Sequence, residues 1–364
     1  MTKKSPKVSV IMPVFNVIKY LEKSLDSVLN QTLEDIEIIC GDGGSTDGSL
    51  ELLREYENKN SRLFVISKVG SGYGQSMNDC VKASTGEYIG IVETDDFIDP
   101  SMYESLYQAA KRYDADIVKS DFYCFIDDKK GSPVNWKIKS AVSNNFYNRV
   151  FAPRNELRSF RCCLNTWCGI YRREFLLENQ IWHNETPGGS YQDNGFWFQS
   201  FSLAERVVFI PKAFYHYRQD NENASVKNSG KIFCICDEYN FIEEKMKAHE
   251  NIFAQVYGAF LVAKIGAYTH TLQRISPEYR EVFLNQMKKD FEKIDFLDLK
   301  ISKLFSGREK KFLQALKNEN NPLIFKPHNA FISAYWCILE HGLGFTVGKF
   351  NERLVRCLTS KHLI

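Results

Sequence analysis

The stretch Tyr88-Ile89-Gly90-Ile91-Val92-Glu93-Thr94-Asp95-Asp96 runs an apolar segment straight into three carboxylates. The apolar part reads as a buried strand, and the acids begin where that strand must end. Carboxylates this close repel one another. Two readings fit: a divalent cation with an anionic ligand sits among them, because hard cations take oxygen ligands, or the acids form a solvated turn.

Working outward, runs of the same kind recur at Val8-Ser9-Val10-Ile11-Met12, Ile36-Glu37-Ile38-Ile39-Cys40, Leu63-Phe64-Val65-Ile66 and Asp116-Ile117-Val118-Lys119-Ser120. Helical stripes over 20–29, 49–56, 75–83 and 102–113 separate them. Short apolar strands alternating with helices predict a parallel sheet covered on both faces, a doubly wound α/β fold that binds ligands at the carboxyl ends of its strands. The chemistry-bearing residues fall there. Pro13-Val14-Phe15-Asn16 follows the first strand, Asp42-Gly43-Gly44-Ser45-Thr46-Asp47 the second, and Gly70-Ser71-Gly72-Tyr73-Gly74-Gln75 the third. Between 121 and 150 the pattern lapses into a polar, aromatic connection. Residues 166–171 read as strand-like and 173–178 as a helix. From 231 onward the pattern is helical, with breaks at Pro277, Pro322 and Pro327.

The 364 residues allow two domains and a sizeable core. The net charge of +2 hides an asymmetry, since residues 300–364 carry 11 of the 47 Lys and Arg but 4 of the 45 Asp and Glu. Such a tail suits anionic lipid headgroups or an anionic acceptor, and equally a solvated helical face. No uncharged apolar stretch approaches the roughly 20 residues that span a bilayer, and the N-terminus does not read as a signal peptide. The 10 cysteines form no pair of CxxC arms, and Cys40, Cys80 and Cys124 sit in apolar settings. Reduced, buried thiols and a cytoplasmic location are the expectation.

Motifs narrow the class. The glycines at 70, 72 and 74 are not spaced as GxGxxG and follow the third strand, which disfavours a dinucleotide fold. A P-loop and a GxSxG elbow are missing. Asp47 reads as a helix cap. Asp193 lies near the start of an aromatic-rich helix containing Phe196, Trp197, Phe198 and Phe201, where it either caps the helix or serves as a general base. In Phe214-Tyr215-His216-Tyr217-Arg218, His216 is either a metal or phosphate contact or a buried structural histidine. Arg218 and Lys227 suit phosphate.

In order, these segments resemble family-two glycosyltransferases of the GT-A fold. The carriers are residues 8–16, Ser27-Val28-Leu29-Asn30-Gln31-Thr32, Asp42 to Ser49, Gly86-Glu87-Tyr88-Ile89, Glu93 to Asp96, residues 167–176 and Gln192-Asp193. The resemblance covers about residues 7–230. It implies a GT-A catalytic domain over 1–230; residues 231–364 carry no motif of that family and are expected to form a helical domain that contacts acceptor, membrane or a second copy. It also implies a nucleotide-sugar donor, UDP by default, a glycan or lipid-linked glycan acceptor at the cytoplasmic face of a membrane, no nucleic acid, and Mn²⁺ or Mg²⁺. Pro13, Phe15, Asn16, Asp42, Gly43, Gly74, Gln75, Asn78, Thr94 and Asp95 are the implied nucleotide contacts. Asp95 and Asp96, with Glu93 and His216, are the implied metal ligands, and Asp193 the base of an inverting transfer to a surface glycan such as capsule or lipopolysaccharide.

Two departures stand out. Gly43 replaces the second Asp of the usual Asp-Asp-Gly-Ser, and Gln192 replaces the Glu of Glu-Asp, which should lower the pKa of Asp193 relative to a paired acid. They motivate a second reading, a non-catalytic glycan-binding or scaffold protein. A nucleotidyltransferase is a third, weakened because residues 13–16 offer no basic Gly-rich grip for a triphosphate.

Overall fold

The computed structural model describes residues 5–128, 131–221, 231–292, 294 and 299–317. The expectations for Lys227, Pro322, Pro327 and the basic stretch past 317 lie outside the described residues.

Strands β1 (Val8–Val14), β2 (Ile36–Asp42), β3 (Leu63–Ser67) and β4 (Tyr88–Ile91) form where the apolar runs predict them. They are parallel, in the order β3-β2-β1-β4. Helices α1 (Ile18–Leu29), α2 (Ser49–Lys59) and α3 (Tyr73–Ala83) connect them. Every residue of β1, β2 and β4 is buried, as a sheet covered on both faces requires.

The second half is mixed. After β5 (Phe97–Ile98) and α4 (Met102–Tyr113) come β6 (Ile117–Asp127), β7 (Pro133–Ile138), β8 (Gly169–Arg172), α5 (Arg173–Glu178), α6 (Gln192–Leu203) and β9 (Val207–Arg218). β8 lies antiparallel between β4 and β6, while β9 runs parallel to β6 and antiparallel to β5. The expected connection over 121–150 is corrected: β6 continues to Asp127 and folds back as β7. β7 pairs only with β6 and is mostly exposed, so its sequence needs no apolar run and gives no buried-strand signal.

Beyond β9 the described residues form α7 (Cys234–Met246), α8 (Glu250–Arg274), α9 (Arg280–Phe291), α10 (Leu299–Ser302) and α11 (Gly307–Lys317), with Pro277 at the break between α8 and α9. α7 and α8 pack on α6: the Phe198 ring meets Phe260 edge-on at 5.5 Å, and Tyr239 lies 5.6 Å from Phe260. Among the described residues one helical stretch, Cys234–Arg274, is long and apolar enough to cross a membrane, and half of its apolar window is buried against protein. No disulfide joins the eight described cysteines to one another, and Cys40, Cys80 and Cys124 are buried.

Candidate active site

β1 and β2 end side by side at Val14 and Asp42. The Asp42 carboxylate is 1% exposed and accepts the Gly44 N–H at 3.0 Å, the Ser45 N–H at 3.1 Å and the Ser67 hydroxyl at 2.9 Å. It builds the loop, which corrects the expectation that it faces the nucleotide. Asn16 adopts φ +52°, a left-handed conformation that Asn tolerates, and laces the two loops together. Its N–H donates to Ser45 Oγ at 3.0 Å, and its Oδ1 accepts the Thr46 N–H at 2.8 Å. Phe15 is 61% exposed above this platform. A Cβ on Gly43 would lie 2.9 Å from Ser71 O and 3.4 Å from the Phe15 ring, so the room that an Asp side chain needs is already filled.

Asp47 is not the N-cap, which is Gly48 for α2 and Val17 for α1, but it ties down both helix starts. Its Oδ1 accepts the Ser49 N–H at 3.0 Å at the start of α2, and its Oδ2 the Ile18 N–H at 3.0 Å at the start of α1. Burial works against its charge, but hydrogen bonds from Ser49 and Ile18 outweigh it and hold the pKa below the ordinary carboxylate value.

The acidic turn sits at the carboxyl end of β4, and its members differ sharply. The Thr94 hydroxyl donates to Pro13 O at 2.8 Å, fastening the turn to β1 beneath the cleft. Asp96 is 2% exposed; Oδ2 accepts the Tyr215 hydroxyl at 2.8 Å and Oδ1 the Arg218 N–H at 2.7 Å. Both oxygens are engaged, which corrects the assignment of Asp96 as a metal ligand. Burial, then the neighbouring Asp95 charge, push its pKa well up against those hydrogen bonds. Asp95 is half-buried. Its Oδ2 accepts the Asn221 amide at 2.8 Å, while Oδ1 has no hydrogen-bond partner among the described residues.

Glu93 accepts the Tyr73 hydroxyl at 2.8 Å. It touches solvent on one side and is otherwise walled by protein; burial, with the charges of Asp95 and Asp193, raises its pKa to about 8 despite the Tyr73 bond. Asp193 therefore lies within electrostatic reach of the acidic turn, although about 100 residues separate them in sequence. Every residue of α6 except Asp193 is buried. The Asp193 Oδ1 accepts the Asn194 N–H at 3.0 Å and the Asn194 amide at 3.2 Å, and Oδ2 is without a partner among the described residues. Tyr191 is the N-cap of α6, so Asp193 is a first-turn acid and not the cap, and one of its oxygens is left over. Burial raises the Asp193 pKa against the Asn194 bonds. Gln192 faces the other way, its amide donating to Thr186 Oγ1 at 2.9 Å and Gly188 O at 3.2 Å.

Several expected contacts serve the scaffold instead. His216 stacks on Phe97 at 4.3 Å, and its ring nitrogens engage Asn135 at 2.8 Å and Asp99 at 3.0 Å. Its neighbour Tyr215 faces the acidic turn, so strand alternation turns His216 to the opposite face, and it is not a metal ligand there. The Arg218 side chain is 5% exposed, paired with Asp127 at 2.6 Å and Asp220 at 3.0 Å, and is not free for phosphate. Asn78 is buried and spends its amide on His183 O, Glu185 Oε1 and the His183 N–H, each at 2.9 Å. A Cβ on Gly74 would lie 1.9 Å from Asn184 O, so this glycine admits the 183–185 segment. Both are thereby corrected from nucleotide contacts to supports of that segment. Gln75 is half-buried on α3. Residue reading missed Tyr73 and Tyr215. Alternation along β9 was the available signal, since it puts Tyr215 and Tyr217 on the face opposite His216.

Among the described residues no three His, Cys, Asp or Glu side chains converge as a metal cage. The single oxygen that Asp95 leaves over is of the kind a hard cation takes, and would be one ligand among oxygens supplied from elsewhere.

An α/β sheet with an acidic turn at one strand end and a separate half-buried carboxylate within its electrostatic reach is an arrangement suited to a group-transfer site at the carboxyl ends of the strands. The family model described as glycosyl transferase family 2 matches residues 9–178. The chain is 31% identical over 216 residues to EpsJ of Bacillus subtilis, an uncharacterized glycosyltransferase, covering 59% of this chain and 62% of that one. It is 30% identical over 222 residues to the glycosyltransferase GlyG of Streptococcus pneumoniae, covering 59% and 71%. A poly(ribitol-phosphate) beta-glucosyltransferase of Bacillus spizizenii is 39% identical over 115 residues, 30% of this chain and 18% of that one. The structure of S. aureus TarS 1-349 in complex with UDP-GlcNAc superposes with a TM-score of 0.64 at 19% identity, over 85% of this chain and 87% of that one. The chain belongs to glycosyltransferase family 2. Its match spans 62% of EpsJ but 30% of the pneumococcal glycosyltransferase GlyA, so those relatives extend well beyond the shared segment.

Proposed function

We propose that the chain transfers a sugar, with inversion, from a UDP-sugar to a hydroxyl of a growing surface glycan. The observation that carries this is the division of labour between two carboxylates with an oxygen to spare: Asp95 at the acidic turn and Asp193 at the head of α6. The Asp95 oxygen, with diphosphate oxygens, would hold Mn²⁺ or Mg²⁺, and such an ion supplies positive charge to the departing diphosphate.

An acceptor hydroxyl is a weak nucleophile. Asp193 Oδ2 takes its proton as the oxygen bonds to the anomeric carbon, and the bond to the diphosphate breaks with its electron pair. A single base opposite the leaving group gives one displacement and inversion. Phe15, exposed at the end of β1, offers its ring to the base, and the Tyr73–Glu93 pair floors the cleft between the two acids. The poly(ribitol-phosphate) named for the Bacillus spizizenii relative supports a surface polymer as acceptor; that this polymer is capsule or lipopolysaccharide, and is met at the cytoplasmic face of a membrane, is part of the proposal.

Asp193→Asn is expected to abolish UDP release while UDP binding, followed by calorimetry with Mn²⁺, persists. Normal turnover by that variant would remove Asp193 from the mechanism. Burial raises the Asp193 pKa, and a base must be ionised to act. The acid limb of the kcat/KM profile is therefore expected above the ordinary aspartate value of 3.8.

A further inference from the structure

Glu238 lies on α7, beyond the segment that the family model matches, and is 1% exposed. Its Oε1 accepts the Gly195 N–H at 2.9 Å, and its Oε2 accepts the Asn184 amide at 3.0 Å. Gly195 is in the first turn of α6, two residues past Asp193, where helix amides lack partners of their own. The fit is close: a Cβ on Gly195 would stand 2.1 Å from Glu238 Oε1. The entry into α6 needs such an anchor, because Tyr191, the residue before the helix, adopts φ +65°, an unfavourable conformation for a side chain of that size. Thr271 of α8 adds a second tie, its hydroxyl 3.3 Å from that of Tyr191. Asn184 belongs to the segment that Asn78 and Gly74 hold against α3.

We propose that Glu238 is the positioning residue for Asp193: from α7 it fixes the first turn of α6 and so aims the Asp193 carboxylate. The inference rests on the reading of Asp193 as the base. Burial, reinforced by the Asp193 charge, pushes the Glu238 pKa to about 8 against the Asn184 and Gly195 bonds. Each carboxyl oxygen thus accepts one bond, from Gly195 and from Asn184. Glutamine keeps the oxygen that accepts from Gly195 and reaches Asn184 once that amide flips, and alanine makes neither bond.

The test uses the full chain with Mn²⁺, and UDP release from UDP-GlcNAc, UDP-glucose, UDP-galactose and UDP-GalNAc. With whichever donor turns over best, Glu238→Ala is expected to lower kcat roughly 10- to 100-fold with donor KM unchanged, the cost of a misaimed catalytic group. Glu238→Gln is expected to restore kcat to near wild type. Gly195→Ala, which displaces the carboxylate without deleting it, should reproduce the loss and serves if Glu238→Ala fails to fold. Wild-type kcat in Glu238→Ala, or Glu238→Gln as impaired as alanine, overturns the inference. So does a parallel fall of kcat, donor affinity and thermal stability, which marks a purely structural group. Asp193→Asn in the same assay separates the two readings. If it is inactive while Glu238→Ala is normal, only the positioning role falls. If it turns over, or if no donor releases UDP, the base reading falls and this inference with it.

Discussion

Asp95 and Asp96 are adjacent and of one residue type, yet their surroundings give them different work. Asp96→Ala would strand the Tyr215 hydroxyl and the Arg218 N–H in a buried place. Unsatisfied groups of this kind cost about 1–3 kcal/mol each, so urea denaturation should show a clear loss of stability. Asp95→Ala should leave stability within about 1 kcal/mol but remove the Mn²⁺-dependent part of UDP affinity, read by calorimetry with and without the ion. Sequence shows that acids cluster after β4. It does not show which one has a spare oxygen, because the groups that occupy Asp96 come from β9, at Tyr215 and Arg218. Glu238 did leave a trace. It shares the buried face of α7 with Ile235, Tyr239 and Ile242, an acid in an apolar stripe.

At the level of elements, the α/β half was legible almost to its ends, since β1 to β4 and their helices carry clear periodicities. The β6–β7 hairpin was not, because an exposed edge strand has no core to encode. The contact between α3 and the 183–185 segment was also hidden; one glycine-sized gap and one asparagine make it, across a long stretch of chain. Gly74→Ala should cost about 1–3 kcal/mol, the usual penalty of forcing an atom into a packed contact, since the opposing Asn184 O is backbone and cannot swing aside. Chemical denaturation of that variant against wild type measures it. A loss within error would mean that the segment yields freely.

Over the whole molecule, buried acids set the response to pH. Glu93 and Glu238 are each raised from an ordinary 4.5 to about 8. The folded state thus keeps protons that the unfolded chain has already released. Their contribution is fully present below about 4.5 and is lost as pH rises toward 8. Asp47 and Glu87, lowered in the fold, act oppositely and lose their contribution as pH falls through the carboxylate range. The melting temperature without metal is expected to be higher at mildly acidic pH than at pH 8 or above; a flat or rising profile over that interval would contradict these assignments. The bond from Glu238 to Gly195 also bears on how such enzymes can be recombined. The family-model match ends at residue 178, before both α6 and α7, and the head of α6 is completed by an acid on α7. A catalytic half transplanted onto a foreign helical partner would arrive with its Gly195 amide unanswered, unless the new partner brought a carboxyl group to the same spot. Shuffling between α6 and α7 should therefore yield folded but poorly aimed hybrids.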